Sequence, residues 1–205
     1  MTKTDIVVLA AGKGTRMRSQ IPKVLHRLAG KPMLTHVLDA AAGIADAQKI
    51  VVTGHGADIV RASYSEAAFT MVEQTEQLGT GHAVTCALGE LRAGAKVVIL
   101  YGDVPLITPA TISNMLAAVD EKHIALLTIE LSDPSGYGRI IRDSEGHIEA
   151  IVEQKDASPE QLDIPEVNTG VMALTTELLA SWLPQIDNQN AQGEYYLTDL
   201  IAIAR

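Results

Sequence analysis

The sequence predicts an α/β fold of repeated strand–helix units around a largely parallel sheet, and three observations carry that reading. Short β-branched runs alternate with helix-periodic segments through the first half of the chain. Small residues and glycines follow the first run directly, where a strand must turn into a loop able to face a ligand. Hydrophobic residues make up 47% and charged residues 20%, the mixture of an ordinary globular chain. At about 100–200 residues per domain, 205 residues make one large domain or two cramped ones, with enough chain for a sizeable core.

In chain order, Asp5 to Ala10 is the first strand. Pro32 suits the first turn of a helix to about Ala42, where Met33, His36, Val37 and Ala40 recur at helical spacing. Lys49 to Thr53 is the second strand, followed by a helix from Gly56 to about Ala67, a short strand from Phe69 to Glu73, a helix from Thr80 to about Leu91 and a strand from Lys96 to Tyr101. Thr108-Pro109 supplies the N-cap and first position of a helix ending near Asp120. From His123 the rhythm changes. Ile124 to Leu131 is a strand followed by turn chemistry at Asp133 to Gly136, and Arg139 to Arg142 with Ile148 to Glu153 makes a hairpin about Ser144-Glu145-Gly146. Asp156 to Ile164 is an exposed loop with a short helical turn, Val171 to Leu174 a strand, and Thr176 to Leu183 and Tyr195 to Ala204 are helices, with Thr198 as N-cap of the last. The chain ends at Arg205 inside an apolar-periodic segment with no glycine cap, so the expectation is a domain cut short at its C-terminal end.

No apolar run reaches the ~20 residues that span a bilayer, and Met1 to Asp5 does not lead into a signal peptide. The lone Cys86 reads as a core residue on the third helix and points to a reducing, cytoplasmic setting; the six histidines show no metal spacing. A net charge of −9 disfavours nucleic acid or an anionic membrane as partner. Yet residues 6 to 38 hold no Asp or Glu and six cations, Lys13, Arg16, Arg18, Lys23, Arg27 and Lys31. Such a window suits a compact polyanion such as a nucleoside triphosphate; chance clustering on a solvated face is the alternative.

Leu9-Ala10-Ala11-Gly12-Lys13-Gly14-Thr15-Arg16-Met17 places two glycines at the carboxyl end of the first strand, where backbone N–H groups form an anion-binding nest. Neither better-known phosphate loop fits. A dinucleotide fingerprint needs glycine where Met17 stands, and the P-loop spacing before Gly-Lys-Ser/Thr is absent. Pro22 stiffens the backbone ahead of Lys23 and can aim its ammonium at a phosphate. These residues resemble the signature loop of the sugar-nucleotide pyrophosphorylases.

Six further motifs occur in order: Gln74 to Ala83, Tyr101-Gly102-Asp103-Val104-Pro105-Leu106, Gly136-Tyr137-Gly138-Arg139, Val152-Glu153, Asn168-Thr169-Gly170 and Gln192 to Asp199. Together they resemble the N-terminal half of the bacterial bifunctional enzymes that combine UDP-N-acetylglucosamine pyrophosphorylase and glucosamine-1-phosphate acetyltransferase activities, across essentially all of the chain. The resemblance implies a Rossmann-like three-layer αβα nucleotidyltransferase fold with a mostly parallel mixed sheet, spanning residues 1–205 as one domain, without the left-handed β-helix acetyltransferase domain. It implies a cytoplasmic enzyme that joins UTP to N-acetylglucosamine 1-phosphate with release of pyrophosphate, feeding peptidoglycan and lipopolysaccharide precursors.

Roles follow residue by residue from that resemblance. Arg16 binds the leaving pyrophosphate, Lys23 the α-phosphate region, and Asp103 a Mg²⁺ ion whose second protein ligand is an Asn beyond residue 205. Leu9, Ala10, Ala11, Gly12, Gln74, Gly79 and Thr80 match nucleotide contacts, with Gln74 and Gly79 on the uracil. Tyr101, Gly102, Gly138, Glu153, Asn168 and Thr169 match contacts to the ribose and the sugar. Read alone, Asp103 is equally a turn aspartate before Pro105, Gln74 a surface glutamine and Glu153 a solvated strand residue. The implied nucleophile is already an anionic phosphate, so no general base is required. Two alternatives stand beside this reading: a transferase for another base or sugar, and a UDP-N-acetylglucosamine-binding fragment with little turnover. The family is homotrimeric through its β-helix domain, so the 205-residue chain is expected to be monomeric and to turn over more slowly than the whole enzyme.

Overall fold

Strand β1 (Lys3–Ala10) is the axis of the sheet, and its six buried residues from Asp5 to Ala10 explain why. Ile6, Val8 and Ala10 enter the core on one face and Val7 and Leu9 the core on the other, the pattern of a strand covered on both sides. The computed structural model describes residues 3–12, 14, 17, 19, 21–64 and 69–205. β4 (Gln48–Thr53) and β6 (Ala95–Tyr101) pair with β1 in parallel on either side, Val7 lying between Ile50 and Ile99, and β5 (Thr70–Glu73) extends the sheet beyond β4.

Past β6 the sheet becomes antiparallel. β10 (Glu166–Thr175) runs against β6, β7 (Ala125–Glu130) and β8 (Arg139–Arg142), and β9 (Ile148–Val152) closes a hairpin with β8, for an order of β5-β4-β1-β6-β10-β8-β9 with β7 also on β10. Val167 pairs with both Ile129 of β7 and Arg139 of β8, whereas Met172 pairs with both Leu126 of β7 and Ile99 of β6. β6 and β8 therefore share one edge of β10 in succession. Residues 169–171 lie at the changeover, where the register against β7 also shifts.

Helices α1 (Met33–Ala42), α2 (Ala57–Ser63) and α4 (Pro109–Ala117) cover one face through Leu34, Val37, Val60, Ile112 and Met115. α3 (Thr80–Ala87), α6 (Thr176–Trp182) and α7 (Leu200–Ile203) cover the other through Ala83, Val84, Leu179 and Leu200. This is the three-layer αβα arrangement with a mostly parallel centre that the sequence predicts. Thr108 caps α4 by accepting from the Thr111 N–H, as its sequence position implies. The short turn α5 (Pro159–Leu162) is held by a capping box between Ser158 and Gln161.

Several boundaries differ from expectation. β10 has ten residues rather than four, because its polar first half is paired on both edges at Val167. The final helix shrinks to α7 preceded by a 3-10 turn at Leu197–Asp199; Asp199 is its N-cap position, and Thr198 instead donates to Glu153. α4 ends at Ala117, α2 ends at Ser63, and residues 65–67 of the expected longer helix lie outside the described residues. Two-residue strands β2 (Arg27–Leu28) and β3 (Lys31–Pro32) form a separate ribbon, so Pro32 precedes α1. Cys86 is on the third helix but only partly buried.

At the amino end of β1, the fully buried Asp5 carboxylate accepts from the Arg92 backbone N–H at 2.7 Å and from its Nε at 2.7 Å. The partners are unequal, because Arg92 remains a third exposed. Arg92→Ala strands a carboxylate in the interior and should cost about 3–5 kcal/mol in urea unfolding. Asp5→Ala should cost less, since the freed guanidinium can turn to water.

Candidate active site

Parallel pairing brings the carboxyl ends of β1 and β6 to one rim, where the chain leaves β1 toward β4 and returns to β6 on the opposite side. Such a switch point opens a crevice in α/β sheets. A cleft of about 410 Å³ lies there, lined by Leu9, Ala10, Ala11, Gly12, Lys23, Gln74, Gly79, Thr80, Tyr101 and Asp103. Ten residues singled out in the sequence thus share one cavity. Gly14, Val24, Gln77, Ala83 and Glu194 also line it. Arg16, with Lys13, Thr15 and Arg18, lies outside the described residues.

Lys23 is positioned by backbone packing. It opens the 3-10 turn Lys23–Leu25 after the extended Pro22, and Gly14, at φ +57°, approaches so closely that a Cβ there would sit 2.8 Å from the Lys23 Cβ. Only glycine satisfies both the left-handed backbone and the contact. The Lys23 ammonium meets the Asp103 carboxylate at 2.5 Å, both groups partly open to the cleft. Asp103 is therefore a cleft carboxylate, while the helix after Pro105 takes Thr108 as its cap. Gly102 donates to the Leu9 carbonyl at 2.9 Å and ties the two loops together.

The far wall is built around Gln74, which is 3% exposed and not the surface residue its sequence position also allowed. Its backbone N–H donates to Thr53, its carbonyl accepts from Gln77 Nε2 at 3.0 Å, and its Nε2 reaches the Gly79 carbonyl at 3.0 Å and His82 Nδ1 at 3.0 Å. The start of α3 is clamped by the Glu194–Leu197 segment: Gly81 donates to Tyr195, Tyr195 to Leu78 and Leu197 to the Thr80 hydroxyl. Gln77, His82 and Glu194 were not singled out beforehand, although each lies within a motif recognised in the sequence.

Gly138, Glu153, Asn168 and Thr169 form a neighbouring cluster rather than the lining of the main cleft. Asn168 donates its N–H to the Gly138 carbonyl at 2.8 Å and accepts at Oδ1 from Gly170; Thr169 turns its hydroxyl to the Leu127 carbonyl; Glu153 accepts from Thr198. Arg139, 1% exposed, braces this cluster through the Tyr137 and Leu162 carbonyls and Gln154 Oε1. Tyr101 stands between cleft and cluster, packed on Gly170, where a Cβ would lie 2.5 Å from its ring. Burial, with the charges of Glu153 and Asp103, pushes the Tyr101 phenol far up, so it remains a neutral hydroxyl. Burial also raises Glu153, aided by Asp156 and Asp199, and Asp199 is itself pushed up to about 6 by burial and by Asp187 and Asp156.

Among the described residues no group of three or more His, Cys, Asp or Glu could hold a metal ion by itself. Asp103 fits a different role: one hard oxygen donor at the rim, suited to Mg²⁺ whose remaining ligands are phosphate oxygens and water.

Residues 6–157 match the profile of the MobA-like NTP transferase domain. The chain belongs to that family. It is 58% identical over 201 residues to the bifunctional protein GlmU of Saccharophagus degradans, 55% identical over 201 residues to that of Cellvibrio japonicus and 56% identical over 200 residues to that of Pseudomonas aeruginosa. Each match covers 98% of this chain and 44% of the relative, so the chain spans less than half the length of these proteins. The resemblance read from the ordered motifs thus extends over the whole chain. Solved folds agree: a UDP-glucose pyrophosphorylase in complex with UDP-glucose superposes with TM-score 0.74 at 18% identity over 98% of this chain and 86% of that one. The inositol-1-phosphate CTP transferase of T. maritima superposes with TM-score 0.74 at 19% identity over 100% and 82%. No helix among the described residues is long and apolar enough to cross a membrane.

Two outcomes are expected. Gly170→Ala forces a methyl into the Tyr101 ring at a left-handed backbone position (φ +87°) and should lower stability by about 1–3 kcal/mol in chemical denaturation. Because the folded pKa of Asp199 lies above its unfolded value, its protonated form favours the fold, and that contribution is lost as pH rises from about 4 through about 6. Asp199→Asn should raise the melting temperature at pH 7–8, with the gain vanishing near pH 4.

Proposed function

We propose that this chain catalyses uridylyl transfer from UTP to N-acetylglucosamine 1-phosphate, yielding UDP-N-acetylglucosamine and pyrophosphate. The observation that carries the proposal is the Lys23–Asp103 pair at the mouth of a cleft whose opposite wall is the buried amide of Gln74. A cation and a carboxylate on one side and a side-chain amide on the other suit the chemistry of a nucleoside triphosphate. The whole-chain similarity to GlmU proteins supports this substrate choice over other sugar nucleotides.

The acceptor phosphate attacks the α-phosphorus in line, the bond between the α-phosphorus and its bridging oxygen breaks, and pyrophosphate leaves with the electron pair. The protein aligns two anions that repel each other and stabilises charge that grows on the transferred group. Lys23 exchanges its ion pair with Asp103 for the α-phosphate region. The end of β1 and the backbone just after it, from Leu9 to Gly12, face the nucleotide, and Arg16 attracts the leaving pyrophosphate. Gly79 and Thr80 border the base, with Gln74 contacting it. Tyr101 and Gly102 border the ribose. Gly138, Glu153, Asn168 and Thr169 receive the sugar, where a carboxylate, an amide and peptide groups suit hydroxyl partners. Mg²⁺ held by Asp103 supplies charge neutralisation across the phosphates when bound.

Pyrophosphate release should depend on Mg²⁺ and prefer UTP with N-acetylglucosamine 1-phosphate; equal rates with CTP or GTP would remove the uridine assignment. Lys23→Ala and Asp103→Ala should each lower turnover by about 10²–10³-fold with the fold retained by circular dichroism. A wild-type rate in either variant excludes that residue from the mechanism.

A further inference from the structure

We propose that His82 is a positioning residue that sets the base selectivity of the cleft by locking the orientation of the Gln74 side-chain amide. The inference deepens the uridylyl-transfer reading and rests on it.

A glutamine amide carries two N–H donors and one acceptor oxygen, and which end faces a ligand decides which base edge it can read. In this protein both donors are already committed. Gln74 Nε2 lies 3.0 Å from the Gly79 carbonyl and 3.0 Å from His82 Nδ1. The Gly79 carbonyl also accepts from Ala83 N–H, so it is an obligate acceptor and faces the NH₂ end. Rotating the amide by 180° would set Oε1 against that carbonyl oxygen. The same logic assigns the imidazole. To accept from Gln74, Nδ1 must be unprotonated, so the ring proton is on Nε2, which is turned to Cys86 Sγ at 3.9 Å. Burial pushes the Cys86 thiol up, and its sulfur can take that N–H as a weak acceptor.

The backbone of Gln74 is tied down at both its N–H and its carbonyl, so the residue has little freedom to re-aim. With both N–H groups consumed, Oε1 is the group left for the ligand. The cleft therefore offers an acceptor to the base and demands a ring N–H from it. Uracil supplies one at N3, whereas cytosine presents a lone pair there and is rejected by two facing acceptors. His82 reads no base itself. It is the second of two acceptors, with the Gly79 carbonyl, that hold both N–H groups away from the base; without it one N–H is freed and Gly79 alone restrains the amide.

The lock is tested first in the ligand-free wild type. ¹⁵N NMR of the imidazoles should show His82 as the Nε2–H tautomer with a hydrogen-bonded Nδ1; a protonated Nδ1 in the neutral ring overturns the proposal. The functional test is calorimetric titration with UTP and with CTP of wild type, His82→Leu, which removes the acceptor, and His82→Asn, whose Oδ1 replaces Nδ1. His82→Leu should narrow the preference for UTP over CTP by roughly tenfold, and His82→Asn should restore most of it. A purely structural role would weaken both nucleotides alike and leave their ratio unchanged, and that result overturns the proposal. Equal wild-type affinity for UTP and CTP alongside the expected tautomer would refute the uridine reading and the selectivity role while leaving the hydrogen-bond lock in place.

Discussion

The parallel pairing of β1 with β6 is the constraint on which the rest of the molecule depends. Leu9 stands opposite Tyr101, so the loops beginning at Ala11 and Gly102 leave the sheet side by side. The two strands are buried on both faces, and a slip by one residue would turn apolar side chains from one core into the other. The register is therefore held by the packing of both helical layers. Gly102 N–H on the Leu9 carbonyl extends that pairing one step past the strands, and Asp103 reaches the cleft as a result.

Around this rim, close approach of backbone to side chain does the positioning that long polar networks do elsewhere. Gly14 packs on the stem of Lys23, Gly56 on Pro22 and Gly170 on the ring of Tyr101, each with a left-handed backbone. The Lys23 ammonium so placed lies beside the Asp103 carboxylate at 2.5 Å while both stay partly in solvent. The acidic side of the site works differently. Glu153, Asp156, Asp187 and Asp199 interact with one another near the Gly138, Asn168 and Thr169 cluster, and burial there raises the pKa of Glu153 and Asp199. Stability is spent locally to keep polar acceptors in place.

Much was legible in the sequence because it rested on local rules. The apolar alternation of β1, the Thr108-Pro109 start of α4 and the Ser144-Glu145-Gly146 hairpin turn depend on neighbours in the chain. The misjudged boundaries depended on distant partners. The polar stretch Glu166 to Thr169 became strand because β7 and β8 flank it, and the segment from Tyr195 left the last helix because Tyr195 and Leu197 bind the start of α3 and Thr198 donates to Glu153.

For the site, residue types and their order carried a family resemblance, and that resemblance implied the chemistry: a glycine loop, a lone lysine after proline, an aspartate at a strand end. Chain-local information reaches that far because each feature lies within a few residues of a strand terminus. Spacing along the chain could not reveal that Lys23 and Asp103, eighty residues apart, touch, nor that Gln74 is interior with its amide held by His82. Those facts belong to the tertiary structure, because the direction of a hydrogen bond and the burial of a polar group are set only when separate elements are packed together.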